Sequence, residues 1–105
     1  MAHRVSFSLQ LPASNIEEYR RRHDELWPEL RDAIRAQGGR NYSIFALPDV
    51  DRVVGYVEVD DVDIWNSGGV SEITRAWWKF MADIMPTNPD SSPVHAPIVE
   101  VFHLD

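Results

Sequence analysis

An apolar stripe with an ionisable residue inside it constrains the first third of the chain. Between residues 16 and 34, apolar side chains recur at the three- and four-residue spacing of one helix face. The members of this stripe are Ile16, Tyr19, Leu26, Trp27, Leu30, Ala33 and Ile34. His23 falls in the same stripe, one helical turn after Tyr19. The sequence therefore predicts a helix that packs on a core and carries an imidazole on its inner face.

Pro28 interrupts this helical pattern. Because proline lacks an amide hydrogen and clashes with the carbonyl one turn earlier, we expect a kink or break between Asp24 and Trp27. We expect Ser14 or Asn15 to cap the start of the helix, and residues 38–39, both glycine, to end it. A bend just after His23 would open a cleft beside its ring.

The remaining segments complete a β-α-β-β-α-β order. The predicted elements are a strand over 3–11, a hairpin of strands 41–47 and 52–59, a short helix from 60–61 to the glycines at 68–69, a helix over 71–85, a loop over 87–97 and a last strand over 98–104. This order is typical of an α+β, ferredoxin-like βαββαβ plait, an antiparallel sheet with helices on one face. We expect one domain over residues 1–105.

Three of the predicted strands, 41–47, 52–59 and 98–104, carry apolar side chains on both faces. Two helical segments can cover only one face of a four-stranded sheet. The second face needs another cover, and a second copy of the chain is the simplest. The sequence therefore predicts a homodimer.

Composition and charge exclude several classes of function. The chain has a net charge of −7, which argues against nucleic acid and anionic membranes as partners. It contains no cysteine, so disulfides, Fe–S clusters and thiol catalysis are excluded. Its histidines show no local metal-ligand pairing, and no glycine-rich phosphate loop follows a strand, so we expect neither metal nor cofactor. No apolar run reaches membrane-spanning length and no secretory signal opens the chain, so we expect a cytoplasmic protein.

Two further groups of residues are candidates for a site. Adjacent helical residues point about 100° apart, so Trp77 fits the stripe of its helix whereas Trp78 lies to its side. An aromatic ring at a pocket rim is a common way to hold a sugar, and the alternative is that both tryptophans are packing residues. Tyr42 offers a further hydroxyl. For His23 the alternative is a hydrogen-bonded core histidine.

Other conspicuous side chains receive structural interpretations. The arginines at 20–22 are expected to form a solvated face, and Trp27, Tyr56 and Trp65 are expected to be structural.

Several separate motifs together resemble the L-rhamnose mutarotase family over essentially the full chain. These motifs are EYRRRH at 18–23, LWPEL at 26–30, NYSI at 41–44, RAWWKFM at 75–81, MPTNPDSSP at 85–93 and EVF at 100–102. The resemblance implies a dimeric α/β-barrel fold and interconversion of the α and β anomers of L-rhamnose. It also implies His23 as proton donor, with Tyr19, Tyr42, Trp77 and Trp78 lining the sugar site.

Alternatives remain at this point. The general base could be a tyrosine, a carboxylate or a bound water. The same fold also serves small cofactor-free monooxygenases and non-catalytic ligand-binding proteins. The breadth of sugar specificity, for example toward L-lyxose or L-mannose, is left open by the sequence.

Overall fold

The computed structural model describes residues 2–67 and 71–105. Its elements are, in chain order, β1 (His3–Gln10), α1 (Ile16–Asp24), α2 (Pro28–Ala36), β2 (Gly39–Leu47), β3 (Arg52–Val59), α3 (Val62–Ser67), α4 (Glu72–Met81) and β4 (His95–Pro97). The predicted order of strands and helical segments is therefore confirmed. In this part of the chain no helix is both long and apolar enough to cross a membrane.

The four strands form one antiparallel sheet in the order β2-β3-β1-β4. In β1 and β3, Val5 lies opposite Val57 and Leu9 opposite Val53, so alternate residues of neighbouring strands share one face. That face packs against the helices, because Val53 belongs to the same buried cluster as helical residues. The predicted ferredoxin-like plait, with helices on one face of an antiparallel sheet, is confirmed.

The core lies between this face and the helices. Its buried members are Leu11, Tyr19, Leu30, Val53, Trp77, Met81, Ile84 and Met85. Several residues of the predicted stripe pack around it with partial exposure, and these include Ile16, Leu26, Trp27 and Ile34. The amphipathic pattern thus identified the inward face correctly.

Pro28 breaks the first helical segment where the sequence predicts. The α1 helix ends at Asp24, and α2 begins with Pro28 at its first position, where the missing amide costs no hydrogen bond. Trp27 is extended (φ −61°, ψ 130°), as a residue before proline prefers to be. Its carbonyl accepts hydrogen bonds from the amides of Leu30 and Arg31 and so starts the second helix.

The predicted side-chain cap of α1 is wrong. A single 3₁₀ turn over Ala13–Asn15 precedes the helix, and neither Ser14 nor Asn15 caps it with a side-chain hydrogen bond. The Asn15 amide instead donates to the carbonyl of Ile84, 2.7 Å away. A tertiary contact has replaced the local one.

The α4 helix is shorter than the predicted 71–85 span and ends at Met81. Ser71 caps its start, since the Ser71 hydroxyl accepts from the Thr74 amide at 3.3 Å. Beyond the helix, backbone hydrogen bonds join residues three positions apart. The Ile84 N–H, for example, donates to the Met81 carbonyl oxygen. Pro86 is therefore not the point at which the helix stops.

The short α3 helix starts as predicted. The Asp61 carboxylate accepts from the amides of Asp63 and Ile64, at 2.9 and 3.1 Å. The predicted helix end at residues 68–69 lies outside the described residues.

The predicted last strand over 98–104 is wrong. The fourth strand is His95–Pro97, within the predicted loop, and it pairs with β1. Residues 98–105 form no strand within the described chain, although the Ile98 amide donates to Ser6 and Arg4 pairs with Glu100. Against the described residues, most apolar side chains of this tail remain exposed, with Val101 93% exposed.

Apolar groups also remain on the sheet face that points away from the helices. Phe45 is 61% exposed and Leu47 43% exposed. The homodimer therefore stays a prediction, with this face and the tail as the surfaces that need covering.

Gly55 provides space for a ring on the inner face of the sheet. A Cβ atom at this position would lie 2.4 Å from Phe7 Cζ, on the neighbouring strand β1. The Phe7 ring therefore lies directly over Gly55, which only glycine permits.

We predict that Gly55→Ala lowers the free energy of unfolding by about 1–3 kcal/mol, because the new methyl group forces Phe7 to move. Urea denaturation at fixed protein concentration measures the change. The same substitution in a Phe7→Leu background should cost less, since the shorter side chain removes part of the clash. An equal cost in both backgrounds would contradict this packing.

Candidate active site

A cleft of about 1220 Å³ lies between the helix-facing side of the sheet and the helices, and it is partly open to solvent. The predicted site residues all line it, and they are Tyr19, His23, Tyr42, Trp77 and Trp78. They come from three elements, α1, β2 and α4. The fold thus brings together five residues that the sequence separates by up to 59 positions.

The His23 imidazole is fixed by its own helix. Its Nδ1 atom lies 2.9 Å from the backbone carbonyl oxygen of Tyr19, one turn earlier. A carbonyl can only accept, so Nδ1 carries a proton and donates it. The Nε2 atom has no hydrogen-bond partner among the described residues and is not sealed from the cleft. In the neutral ring, Nε2 is therefore a free proton acceptor.

Aromatic rings hold the imidazole on two sides. The Tyr19 ring stacks on it, with centroids 4.2 Å apart, and Trp77 meets it perpendicularly at 5.3 Å. Trp77 is itself packed by Trp27 at 5.1 Å and by Phe80 at 5.6 Å. These contacts restrict the ring to one orientation.

Burial controls the charge of His23. Loss of hydration lowers its pKa below the ordinary 6.5, although the hydrogen bond to the Tyr19 carbonyl and the charge of Asp24 oppose this. The ring is therefore mainly neutral near pH 7. A neutral imidazole can take a proton at Nε2 and then give it back.

Two phenols share the cleft. Burial raises the pKa of Tyr42 to about 12 and raises that of Tyr19 further, with a smaller contribution from the nearby Tyr42 phenol. Tyr42 is 37% exposed, and its side chain lines the cleft. Both hydroxyls lack hydrogen-bond partners among residues 2–67 and 71–105. They remain protonated at neutral pH and are available as donors.

Other residues line the cleft that sequence reasoning did not assign to it. The ring of Trp65, which was expected to be structural, has its centroid 6.4 Å from that of Tyr42, and the Phe7 ring centroid lies 6.2 Å from that of Tyr42. Asn88 and Asp90 reach the cleft from the loop before β4. The alternation of β1 placed Phe7 on the inner face, but no sequence signal distinguished cleft wall from core.

The expectation that the arginines at 20–22 form a solvated face is wrong for Arg22. Its side chain is only 9% exposed, whereas that of Arg21 is 57% exposed. Among the described residues, no group of three or more histidine or carboxylate side chains is arranged to hold a metal ion.

The antiparallel plait, with helices on one face and an aromatic cleft beside His23, makes this chain a small α+β protein with a candidate internal site. The family model for L-rhamnose mutarotase matches residues 4–104. The chain belongs to the L-rhamnose mutarotase family.

Similar proteins agree with this assignment. The chain is 46% identical to an L-rhamnose mutarotase of Lachnoclostridium phytofermentans over 97% of this chain and 98% of the relative. It is 48% identical to one of Listeria monocytogenes over 96% and 97% of the respective chains. The crystal structure of an L-rhamnose mutarotase from Formosa agariphila superposes with a TM-score of 0.89 at 37% identity, covering 98% of this chain and 99% of the other.

A more distant likeness concerns the fold alone. A structure described as a putative antibiotic biosynthesis monooxygenase from Nitrosomonas europaea superposes with a TM-score of 0.60 at 13% identity, covering 96% of this chain and 91% of the other. The shared plait carries no information about activity at this identity.

We predict that the His23 imidazole titrates below 6.5 in the folded protein, because burial disfavours its charged form. An NMR titration of its ring protons measures this, and the same resonance in urea should titrate near the ordinary value of about 6.5. The folded pKa is the lower one, so the stability that neutral His23 contributes is complete above pH 6.5 and is lost as pH falls through the folded pKa. A folded-state midpoint at or above 6.5 would contradict the burial.

Proposed function

We propose that this protein interconverts the α and β anomers of L-rhamnose by opening and closing the sugar ring. The observation that carries the proposal is the free Nε2 atom of half-buried His23 within an aromatic cleft that also presents two phenol donors. Membership of the L-rhamnose mutarotase family supports the substrate.

The reaction needs only proton transfers. The anomeric hydroxyl loses its proton, the C1–O1 bond becomes a carbonyl, and the bond from C1 to the ring oxygen breaks as that oxygen gains a proton. Rotation about C1–C2 presents the other face of the aldehyde. Closure reverses the steps and yields the other anomer, with atoms and electrons balanced.

We assign His23 as the group that gives the proton to the ring oxygen. Since its lowered pKa leaves the ring neutral near pH 7, Nε2 must first take a proton. The anomeric hydroxyl and the ring oxygen are bonded to the same carbon, so one Nε2 atom can serve both in succession. Such general acid–base catalysis typically contributes about 10²–10⁴-fold to a rate.

The phenols suit a binding role. Because burial raises the pKa values of Tyr19 and Tyr42, neither is a base at neutral pH, and both act as donors to sugar oxygens. Of the bases left open by the sequence, this disfavours a tyrosine. The indole faces of Trp77 and Trp78 provide apolar surface for the C–H groups of a pyranose.

The test is His23→Asn, which keeps a polar side chain of similar reach but cannot carry the proton. We expect the rate of anomer exchange on L-rhamnose, measured by saturation-transfer NMR, to fall by about 10²–10⁴-fold while the fold is kept. The matched control is His3→Asn, at an exposed position on β1, which should leave exchange unchanged. Undiminished exchange in the His23 variant would refute the assigned role.

We further propose that the protein is a cytoplasmic homodimer. The exposed apolar groups of the outer sheet face and of the tail after β4 support association with a second copy. The absence of cysteine and the net charge of −7 support a reducing compartment and disfavour nucleic acid and anionic membranes as partners.

Light scattering at micromolar concentration should give twice the chain mass of 12.1 kDa. We expect Phe45→Asp, on the outer sheet face, to shift this mass toward that of one chain, because a charge replaces exposed apolar surface. Ile64→Asp, at an exposed position on α3, is the control and should remain dimeric. A wild-type mass of one chain would defeat the proposal.

A further inference from the structure

The two halves of the candidate active site lie on separate helices. Tyr19 and His23 belong to α1, whereas Trp77 and Trp78 belong to α4. The break before Pro28 separates α1 from the rest of its helical segment, so helix continuity does not fix the orientation of α1. Other contacts must hold it against α4.

Arg22, the residue before His23, makes such contacts. Its Nη1 atom donates to the Phe80 carbonyl at 2.6 Å and to Asp83 Oδ1 at 2.9 Å, and Nη2 donates to Asp83 Oδ2 at 3.1 Å. The guanidinium also lies 4.4 Å from the centroid of the Phe80 ring. Its Nε atom donates to Glu18 within α1 at 2.7 Å. One side chain thus ties α1 to the end of α4.

A second contact ties the other end of α1 to the same segment. The Asn15 side-chain amide, just before α1, donates to the Ile84 carbonyl at 2.7 Å. Both attachments reach residues 80–84, directly after the turn of α4 that carries Trp77. Tyr19 lies between these two attachments, and His23 directly follows the second.

Arg21 provides a natural comparison. It also pairs with Glu18, at 2.6 Å, and with Glu25, at 2.9 Å, but both partners lie within or directly after α1. Arg21 and Arg22 therefore have the same charge and share a partner. Within residues 2–67 and 71–105, only the contacts of Arg22, and not those of Arg21, reach across to α4.

We propose that Arg22 is a positioning residue that holds α1 on the end of α4 and so sets the His23 ring against Trp77. The guanidinium fork suits this task, because it bonds a carboxylate and a carbonyl at once in fixed geometry. Arg22 does not act on the sugar itself. The catalytic importance of Arg22 rests on the proposed interconversion of anomers, whereas its placement of the His23 ring against Trp77 does not.

The experiment compares Arg22→Ala with Arg21→Ala. Both variants lose a cation and an ion pair to Glu18, but only the first releases α1 from α4. We expect kcat for anomer exchange to fall between about 10- and 100-fold in Arg22→Ala with little change in KM, since misplacing a catalytic group slows the chemical step. Arg21→Ala should keep the wild-type kcat. Equal kcat values in the two variants would overturn the proposal.

A second measurement does not depend on activity. The ring-proton resonance of His23 is displaced by its aromatic neighbours, and the contribution of Trp77 should be lost in Arg22→Ala and kept in Arg21→Ala. An unchanged resonance in Arg22→Ala overturns the positioning role even if the wild type shows no anomer exchange. Absence of exchange in the wild type alone refutes the proposed function instead.

Two further variants keep the test decisive if Arg22→Ala fails to fold. Arg22→Lys keeps the charge but cannot form the fork, and it should give an intermediate kcat. Asp83→Asn weakens the same link from an exposed position on the other side, 67% accessible, and should change the His23 resonance in the same direction. Wild-type behaviour of both variants would contradict the proposal.

Discussion

The hydrogen bond from His23 Nδ1 to the Tyr19 carbonyl is the interaction on which the site depends. This hydrogen bond occupies Nδ1 and leaves Nε2 available for proton transfer. In the neutral ring it also places the proton on Nδ1. Burial beneath aromatic rings then keeps the imidazole neutral near pH 7. Together these effects place an acceptor of known tautomer in a cleft that also presents two phenol donors.

The helix that carries Tyr19 and His23, α1, is short and ends at Asp24. A continuous helix through residues 16–36 would couple His23 rigidly to α2, but Pro28 ends that coupling at Asp24. The short α1 is instead held from the side, by Asn15 at one end and Arg22 at the other. Under the proposed function, the placement of His23 depends on polar contacts that lie outside the cleft, and we expect a substitution there to act on the chemistry without touching the sugar.

Local sequence patterns predicted much of the fold because they report which face of an element is buried. Alternation identified β1, the tight turn over 48–51 identified the hairpin of β2 and β3, helical periodicity placed Tyr19 and His23 on an inner face, and the proline rule located the helix break. The last strand was misplaced because residues 98–104 are apolar on both faces, like a buried strand, but form no strand among the described residues. Pairing is a tertiary property that an apolar pattern does not encode.

Tertiary contacts also explain the features in and around the site that the sequence did not predict. Asn15 is a good helix cap by residue type, yet its amide bonds Ile84 across 69 positions. In the sequence, Arg22 cannot be distinguished from the two arginines before it. Its contacts with Asp83 and Phe80 exist only in the folded chain. Residue type and helical spacing had singled out the five candidate residues separately, and the resemblance to a family predicted that they form one site.

The most direct test of the account is a crystal structure with L-rhamnose bound to the His23→Asn variant, with the wild-type ring superposed on it. The account predicts a pyranose in the aromatic cleft, with its ring oxygen and anomeric hydroxyl both within hydrogen-bond reach of the position of Nε2, and with phenol donors on other oxygens. A sugar bound outside the cleft, or one whose anomeric centre faces away from residue 23, would contradict it.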